Sequence, residues 1–239
     1  MSGEKFINKL IIVTFFSIAM GFLETVVVVY LRQIYYPEGF HFPLIIMPQE
    51  GIRIEYLREF ATLVMLAATG WLAGRNFTTR FGWFLFSFGV WDIFYYVFLK
   101  WLLDWPASLL TWDILFLIPV VWVAPVLAPV ISAATMILYG VVLNLPGMKT
   151  HSRLSLKEWL LLLSGAAIVF VTFIRDYATL VWHYIIFKEK QGFTEDDLMG
   201  AITAYVPETF AWIPFLAGEL LILTSLLLWV MRHKKENAG

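Results

Sequence analysis

Residues 82–103 read GWFLFSFGVWDIFYYVFLKWLL, an apolar run that decides the fold class and places Asp92 near its middle. A helix rises about 1.5 Å per residue, so this run is long enough to cross a hydrocarbon core about 30 Å thick. A carboxylate at the centre of a membrane helix costs roughly 2.5–3.5 kcal/mol on insertion scales. The stretch therefore predicts a transmembrane helix, and it also predicts surroundings that offset the cost of Asp92.

The composition of the whole chain agrees with a membrane protein. Hydrophobic residues make up 60% of the 239 residues and charged residues 15%, whereas soluble domains average about 45–50% and about 25%. The chain has no cysteine, which excludes disulfides, thiolate metal sites and cysteine nucleophiles. The formal net charge of −1 gives no general attraction to nucleic acid. Because the composition is strongly apolar, we expect the protein to be surrounded by the lipid bilayer.

Six segments are long and apolar enough to span a bilayer, and they predict an all-α integral membrane protein with a single polytopic domain over residues 1–239. The predicted spans are 7–30, 53–74, 82–103, 126–145, 157–184 and 209–231. Residues 107–124 are also apolar, but prolines interrupt this region at Pro119, Pro125 and Pro129. Because proline removes a backbone donor and disturbs the preceding turn, we expect a short helix or re-entrant segment before the fourth span.

The basic residues predict the orientation, because loops rich in lysine and arginine stay on the cytoplasmic side. With a cytoplasmic N-terminus, most of them fall inside: Lys5, Lys9, Arg75, Arg80, Lys149, Arg153, Lys157, Arg232, Lys234 and Lys235. Both termini are then cytoplasmic, in the plasma or inner membrane if the source is bacterial. The N-terminal apolar run continues to about Tyr30, which favours an uncleaved anchor over a signal peptide.

Ionisable and tyrosine side chains fall on single helical faces, mostly in the outer half of the spans. The candidates for binding a ligand or handling protons are Glu24, Glu59, Asp92, Tyr95, Tyr96, Asp113, Arg175, Asp176 and His183. Helical spacing and depth predict that Glu24, Glu59 and Asp92 point into one outward-facing cavity, bordered by the tyrosines. We expect water, tyrosine hydroxyls, Arg58 or Arg175, or protonation to offset the cost of Asp92.

Several of these residues also have a structural explanation. Glu59 lies near the start of its helix, where an acid interacts favourably with the helix dipole. Arg175 and Asp176 could form an interfacial pair, and His183 could be an interfacial or capping residue. Asp113 could start the short helix after Pro106. Ser17 and Gly21 precede Glu24 at helical spacing and form a small stripe suited to close helix packing.

The sequence shows no motif for a cofactor. It has no P-loop, no Gly-x-Ser-x-Gly elbow and no Glu-x-x-His pair on one helix. One metal arrangement stays open, an ion held between different helices by oxygen-rich ligands. The ligands for such an ion would be Glu24, Glu59, Asp92, Asp113 and His183.

Three functional classes remain open, and with them the question of whether the protein is an enzyme. The favoured hypothesis is binding or transport of a small solute or cation with proton involvement. The second is a membrane-embedded enzyme that uses acid–base or metal-assisted chemistry on a lipid or quinone-like substrate. The third is an accessory or assembly subunit. The small size of the chain favours either homo-oligomerisation or membership of a larger membrane complex.

Overall fold

Helices dominate the computed structural model, which describes residues 3–146, 153–191 and 195–238. Lys149, one of the predicted inner basic residues, lies outside the described residues. The elements in chain order are α1 (Gly3–Tyr35), α2 (Gln49–Ala73), α3 (Phe77–Leu103), β1 (Trp112–Phe116), β2 (Trp122–Pro125), α4 (Leu127–Asn144), α5 (Leu156–Gln191), α6 (Glu195–Ala204) and α7 (Trp212–Ala238).

Five helices are long and apolar enough to cross a membrane, namely α1, α3, α4, α5 and α7. The prediction of a helical, multi-pass membrane protein agrees with this arrangement. The α2 helix has 25 residues but is not among the five. Its N-terminal half concentrates charge, with Arg53, Glu55, Arg58 and Glu59 within two turns.

Small residues let α1 and α4 approach α3 closely. The hydroxyls of Ser17 and Ser87 lie 2.9 Å apart, and a Cβ built on Gly21 would stand 2.9 Å from the carbonyl oxygen of Trp91. This contact confirms the predicted packing stripe on α1. On the other side of α3, a Cβ on Gly140 would come within 2.5 Å of the carbonyl oxygen of Gly82. The close approach of these backbones fixes α3 between its two neighbours.

The α5 and α7 helices form a second closely packed unit. A Cβ on Gly165 would lie 2.5 Å from the carbonyl oxygen of Gly218, so these two helices also meet through glycine. At the end of the pair, Arg232 bonds the Glu158 carboxylate at 2.8 Å. A hydrogen bond of 3.0 Å between the hydroxyls of Tyr139 and Ser225 joins α7 to α4. The two helix groups therefore meet mainly along α4 and α7.

The short helix predicted over residues 107–124 is wrong, because the structure has a β-hairpin there. β1 pairs with β2 in antiparallel register, with Trp112 opposite Pro125 and Asp113 opposite Ala124. The sequence WDILF is rich in aromatic and branched residues, which favour strands. The prolines lie after β1 and at the end of β2, positions that interrupt little of the ladder. The hairpin carries Asp113, 1% exposed, into the interior.

Candidate intramembrane binding cavity

A cavity of about 690 Å³ lies between the two helix groups, with the hairpin at one end. On α3 its lining extends from Phe81 to Tyr96, which corresponds to about 22 Å along the helix axis. Most of its wall is apolar, and several aromatic side chains contribute to it: Phe88, Trp91, Phe116, Trp122, Phe170, Phe173 and Tyr177. Its size and apolar character match those of small-molecule sites in proteins.

The structure brings most of the predicted site residues to this one cavity. Its lining includes Glu24, Glu59, Asp92, Tyr95, Tyr96 and Asp113. The expected grouping of Glu24, Glu59 and Asp92 beside two tyrosines is therefore present in the structure. Their roles in binding or proton handling stay predictions.

Glu24 and Glu55 share Arg58. The guanidinium group of Arg58 donates from Nε to Glu55 at 2.8 Å and from Nη1 to Glu24. The Thr62 hydroxyl donates to the second oxygen of Glu24 at 3.3 Å. Arg58 was one of the cations expected to offset Asp92, and that expectation is wrong because α1 and α2 supply its partners.

Asp113 and Arg32 form a second, more deeply buried pair. Arg32 bonds the Asp113 carboxylate at 3.1 Å, and the Tyr96 hydroxyl donates to its other oxygen at 3.2 Å. The guanidinium carbon of Arg32 also lies 3.8 Å from the centre of the Trp105 ring, a cation–π contact. These contacts connect the end of α1 to the hairpin and to α3.

Glu59 is held differently, by the backbone of the residues after β1. The Leu117 N–H lies 3.0 Å from each oxygen of the carboxylate. The side chain is buried, and it lines the cavity beside the hairpin. The sequence explained Glu59 by its favourable placement near the helix start. The bond to Leu117 additionally holds the carboxylate in a fixed position.

Asp92 stands apart from these acids. It lies about 16 Å along the axis from the end of α3 at Leu103. Among the residues that the structure describes, Asp92 forms neither an ion pair nor a hydrogen bond. Its neighbouring charges are carboxylates, Asp113 and Glu24. Asp92 thus faces a mostly apolar cavity, and none of the cations that the structure describes compensates its charge.

Arg175, Asp176 and His183 were predicted as site residues but do not line the cavity. Arg175 and His183 are exposed on α5. Asp176 accepts a hydrogen bond of 2.5 Å from the Tyr205 hydroxyl, beyond the end of α6. It therefore connects α5 to the segment before α7. Arg175, the second cation proposed for Asp92, is on the outside of the bundle.

The interhelical metal arrangement does not form among the described residues. Within those ranges, histidine and carboxylate side chains do not gather in groups of three or more that could hold an ion. His183 is remote from the cavity that Glu24, Glu59, Asp92 and Asp113 line. The proposed ligand set is therefore split in the structure.

Sequence analysis missed three charged residues of the cavity wall, Arg32, Glu55 and Glu219. Arg32 follows Glu24 by two helical turns, so its face could have been assigned. Glu55 precedes Glu59 by one turn on the same face, so it too could have been assigned to the cavity. Glu219 lies on a stripe with Trp212 and Phe215, but nothing in the sequence indicated that its carboxylate lies beside α4 at the cavity wall.

One end of the cavity is formed by the C-terminal part of α1 and the segment that follows it. The Ile45 N–H donates to the Tyr36 hydroxyl at 2.8 Å, and the rings of Tyr36 and Phe40 are 5.1 Å apart. Burial raises the pKa of the Tyr36 hydroxyl, so it stays protonated at neutral pH. Tyr36 therefore adds a neutral polar group to this end.

Comparisons of the chain with protein-family models, with curated proteins and with solved structures gave no match. The function of the protein is therefore inferred from the geometry of the cavity and from its charges.

Proposed function

We propose that this protein binds, and carries across the membrane, an organic cation with an apolar body, and that Asp92 is the counter-charge. The observation that supports this function most is the position of Asp92, which faces an apolar, aromatic cavity and has no cation partner in the described part of the chain. A charged carboxylate in such surroundings is unfavourable unless a proton or a cation accompanies it. A bound cation would replace that proton, which accounts for proton involvement.

The balance of charges in the wall supports a cation over an anion. The carboxylates are Glu24, Glu55, Glu59, Asp92, Asp113 and Glu219, and the cations are Arg32 and Arg58. Both arginines are already bonded to carboxylates. Aromatic faces also attract cations, and Trp is the strongest of them. The wall can thus provide both an apolar contact surface and negative charge.

A charge-matched pair of probes tests this function on the purified wild-type protein. Tetraphenylphosphonium and tetraphenylborate have nearly the same shape and opposite charge. We expect titration calorimetry to show saturable binding of the phosphonium and none of the borate. Equal affinity for the two probes would mean that the cavity selects for apolar shape alone, and it would refute a cation-binding function.

A second candidate function is an enzyme that acts on a lipid or quinone-like substrate. The length of the apolar lining, about 22 Å along α3, favours it because a hydrocarbon or isoprenoid chain would fit along such a wall. Under this function, Asp92 and Tyr96 would handle protons at the polar head of the substrate. Tight binding of a neutral quinone analogue, together with no binding of the phosphonium, would favour the enzyme.

We also propose that the protein has six membrane spans with both termini cytoplasmic. The spans are the five long apolar helices and, in addition to them, α2. Two features support α2 as a span. It packs tightly on α3, since a Cβ on Gly70 would lie 2.6 Å from the carbonyl oxygen of Arg80. Its charged residues Glu55, Arg58 and Glu59 line the cavity. Reporter fusions at the C-terminus and within residues 188–206 test this topology. A cytoplasmic location of residues 188–206 would refute it.

A further inference from the structure

Glu219 on α7 is a second carboxylate of the cavity wall whose bonding is incomplete. The Ser132 hydroxyl of α4 donates to its Oε1 at 2.6 Å. Its Oε2 is buried and has no hydrogen-bond partner among the described residues, and the side chain is 4% exposed. Buried carboxylate oxygens are ordinarily bonded, so an unbonded one at a cavity wall indicates a missing partner.

The surrounding packing holds Glu219 in this position. The neighbouring Gly218 lies against α5, where a Cβ on it would come within 2.8 Å of the carbonyl oxygen of Gly165. Phe215, one turn earlier, is completely buried. A rotation of α7 that gave Oε2 another partner would break both contacts. The serine hydrogen bond further fixes which oxygen is left without a donor.

We propose that Glu219 binds a second cationic group of the ligand, and that the ligand carries two amino groups joined by an apolar spacer. This inference rests on the proposed function, in which Asp92 binds one cationic group. Asp92 is on α3 and Glu219 on α7, and both line the same cavity. Neither has a cation of this chain as a partner among the described residues. Apolar side chains such as Met136 and Ile222 line the same cavity and provide the surface for the spacer.

Calorimetric titration with alkyl amines tests the subsite on the purified full-length chain. Linear diamines of increasing spacer length are compared with monoamines of the same length. For the wild type, one spacer length should bind about tenfold more tightly than its monoamine, the contribution expected of one additional charge-assisted hydrogen bond. This comparison requires no variant. If no diamine gains over its monoamine, the second subsite is wrong.

Three variants separate this inference from the proposed function. Glu219→Gln should remove the diamine gain and leave monoamine affinity within about twofold, because Asp92 is intact. Asp92→Asn should weaken both kinds of amine. Ser132→Ala keeps the Glu219 carboxylate and should keep at least part of the diamine gain; a gain that is lost in Ser132→Ala but kept in Glu219→Gln would overturn the subsite.

The outcomes distinguish the two proposals. Monoamine binding that depends on Asp92, combined with a diamine gain that survives Glu219→Gln, would overturn the subsite and leave the proposed function standing. If the wild type binds tetraphenylphosphonium but no amine, only the subsite fails; if it binds none of these cations, both proposals fail.

Discussion

The acids at the Tyr36 end of the cavity and the acids farther along its wall are bonded in opposite ways. At the Tyr36 end, Asp113 is bonded to Arg32, and Glu24 and Glu55 are bonded to Arg58. Farther along, Asp92 has no partner within the described residues, and Glu219 has one oxygen without a donor. Burial of a carboxylate therefore does not by itself distinguish a binding residue from a structural one. The proposed binding role of Asp92 and Glu219 depends on their incomplete bonding within the described residues.

The two groups should respond differently to neutral substitutions. Removing one member of a buried ion pair leaves the other charge uncompensated, and this costs roughly 3–5 kcal/mol. Replacing an acid that has no partner leaves no stranded charge. Stability measurements therefore report which acids belong to the scaffold, and binding measurements report which belong to the site.

The largest expected effect is that of Arg32→Met. Asp113 is 1% exposed and would lose its cation, so we expect the free energy of unfolding to fall by roughly 3–5 kcal/mol. Thermal unfolding of the purified protein in detergent measures this loss.

The control for this substitution is the double variant Arg32→Met with Asp113→Asn. It removes both charges and should recover part of the lost stability, since no buried charge remains alone. If the single variant were as stable as the wild type, the Arg32–Asp113 pair would have no structural role. The contrast between paired and unpaired acids would then fail for the most deeply buried pair.

Arg58→Met should have a smaller effect. The Arg58 side chain is 20% exposed and Glu24 is 12% exposed, so water can partly compensate the stranded acids. We expect a loss of roughly 1.5–3 kcal/mol, the range for hydrogen bonds to charged groups. The same thermal assay gives the value. A loss greater than that of Arg32→Met would reverse the ranking of the two pairs.

Glu59→Gln tests the intermediate case of an acid held by a backbone N–H. Glutamine keeps one oxygen that can accept from Leu117, so only the charge assistance of that bond is lost. We expect a cost of about 0.5–1.5 kcal/mol. If the affinity for tetraphenylphosphonium also fell strongly while stability changed little, Glu59 would be a residue of the binding site and not of the scaffold.

The sequence predicted the helices of the bundle well because membrane thickness constrains their length. The predicted span 82–103 lies within α3 (Phe77–Leu103), and 126–145 nearly coincides with α4 (Leu127–Asn144). The prediction failed over residues 107–124, because hydrophobicity cannot distinguish a buried hairpin from a broken helix. The pairing of β1 with β2 depends on partners that no single segment specifies.

The site was only partly predictable, since depth and helical face can be inferred from one helix and pairing cannot. Glu24, Glu59 and Asp92 could be assigned to one cavity from their spacing. The assignment of Arg58 to Glu24 and of Arg32 to Asp113 depends on how α1, α2 and the hairpin meet. The alternative explanation of Asp113 as the start of a short helix is wrong, because Asp113 lies on β1; its burial beside Arg32 follows from the hairpin.

The smallest expected change in stability is that of Asp92→Asn. No ion pair among the described residues is broken by it, and asparagine has nearly the same volume. We expect the free energy of unfolding to stay within about 0.5 kcal/mol of the wild type. A loss of several kcal/mol would reveal a paired charge, contrary to the geometry of the cavity.

The most direct test of the central claim is the affinity of Asp92→Asn for tetraphenylphosphonium, measured beside the wild type on samples with equal thermal stability. Loss of a charge-assisted contact predicts a decrease in affinity of about tenfold to a hundredfold. Asp104→Asn is the matched control, because Asp104 is exposed at the end of α3 and outside the cavity; it should bind like the wild type. Unchanged affinity in Asp92→Asn would contradict the assignment of Asp92 as the counter-charge.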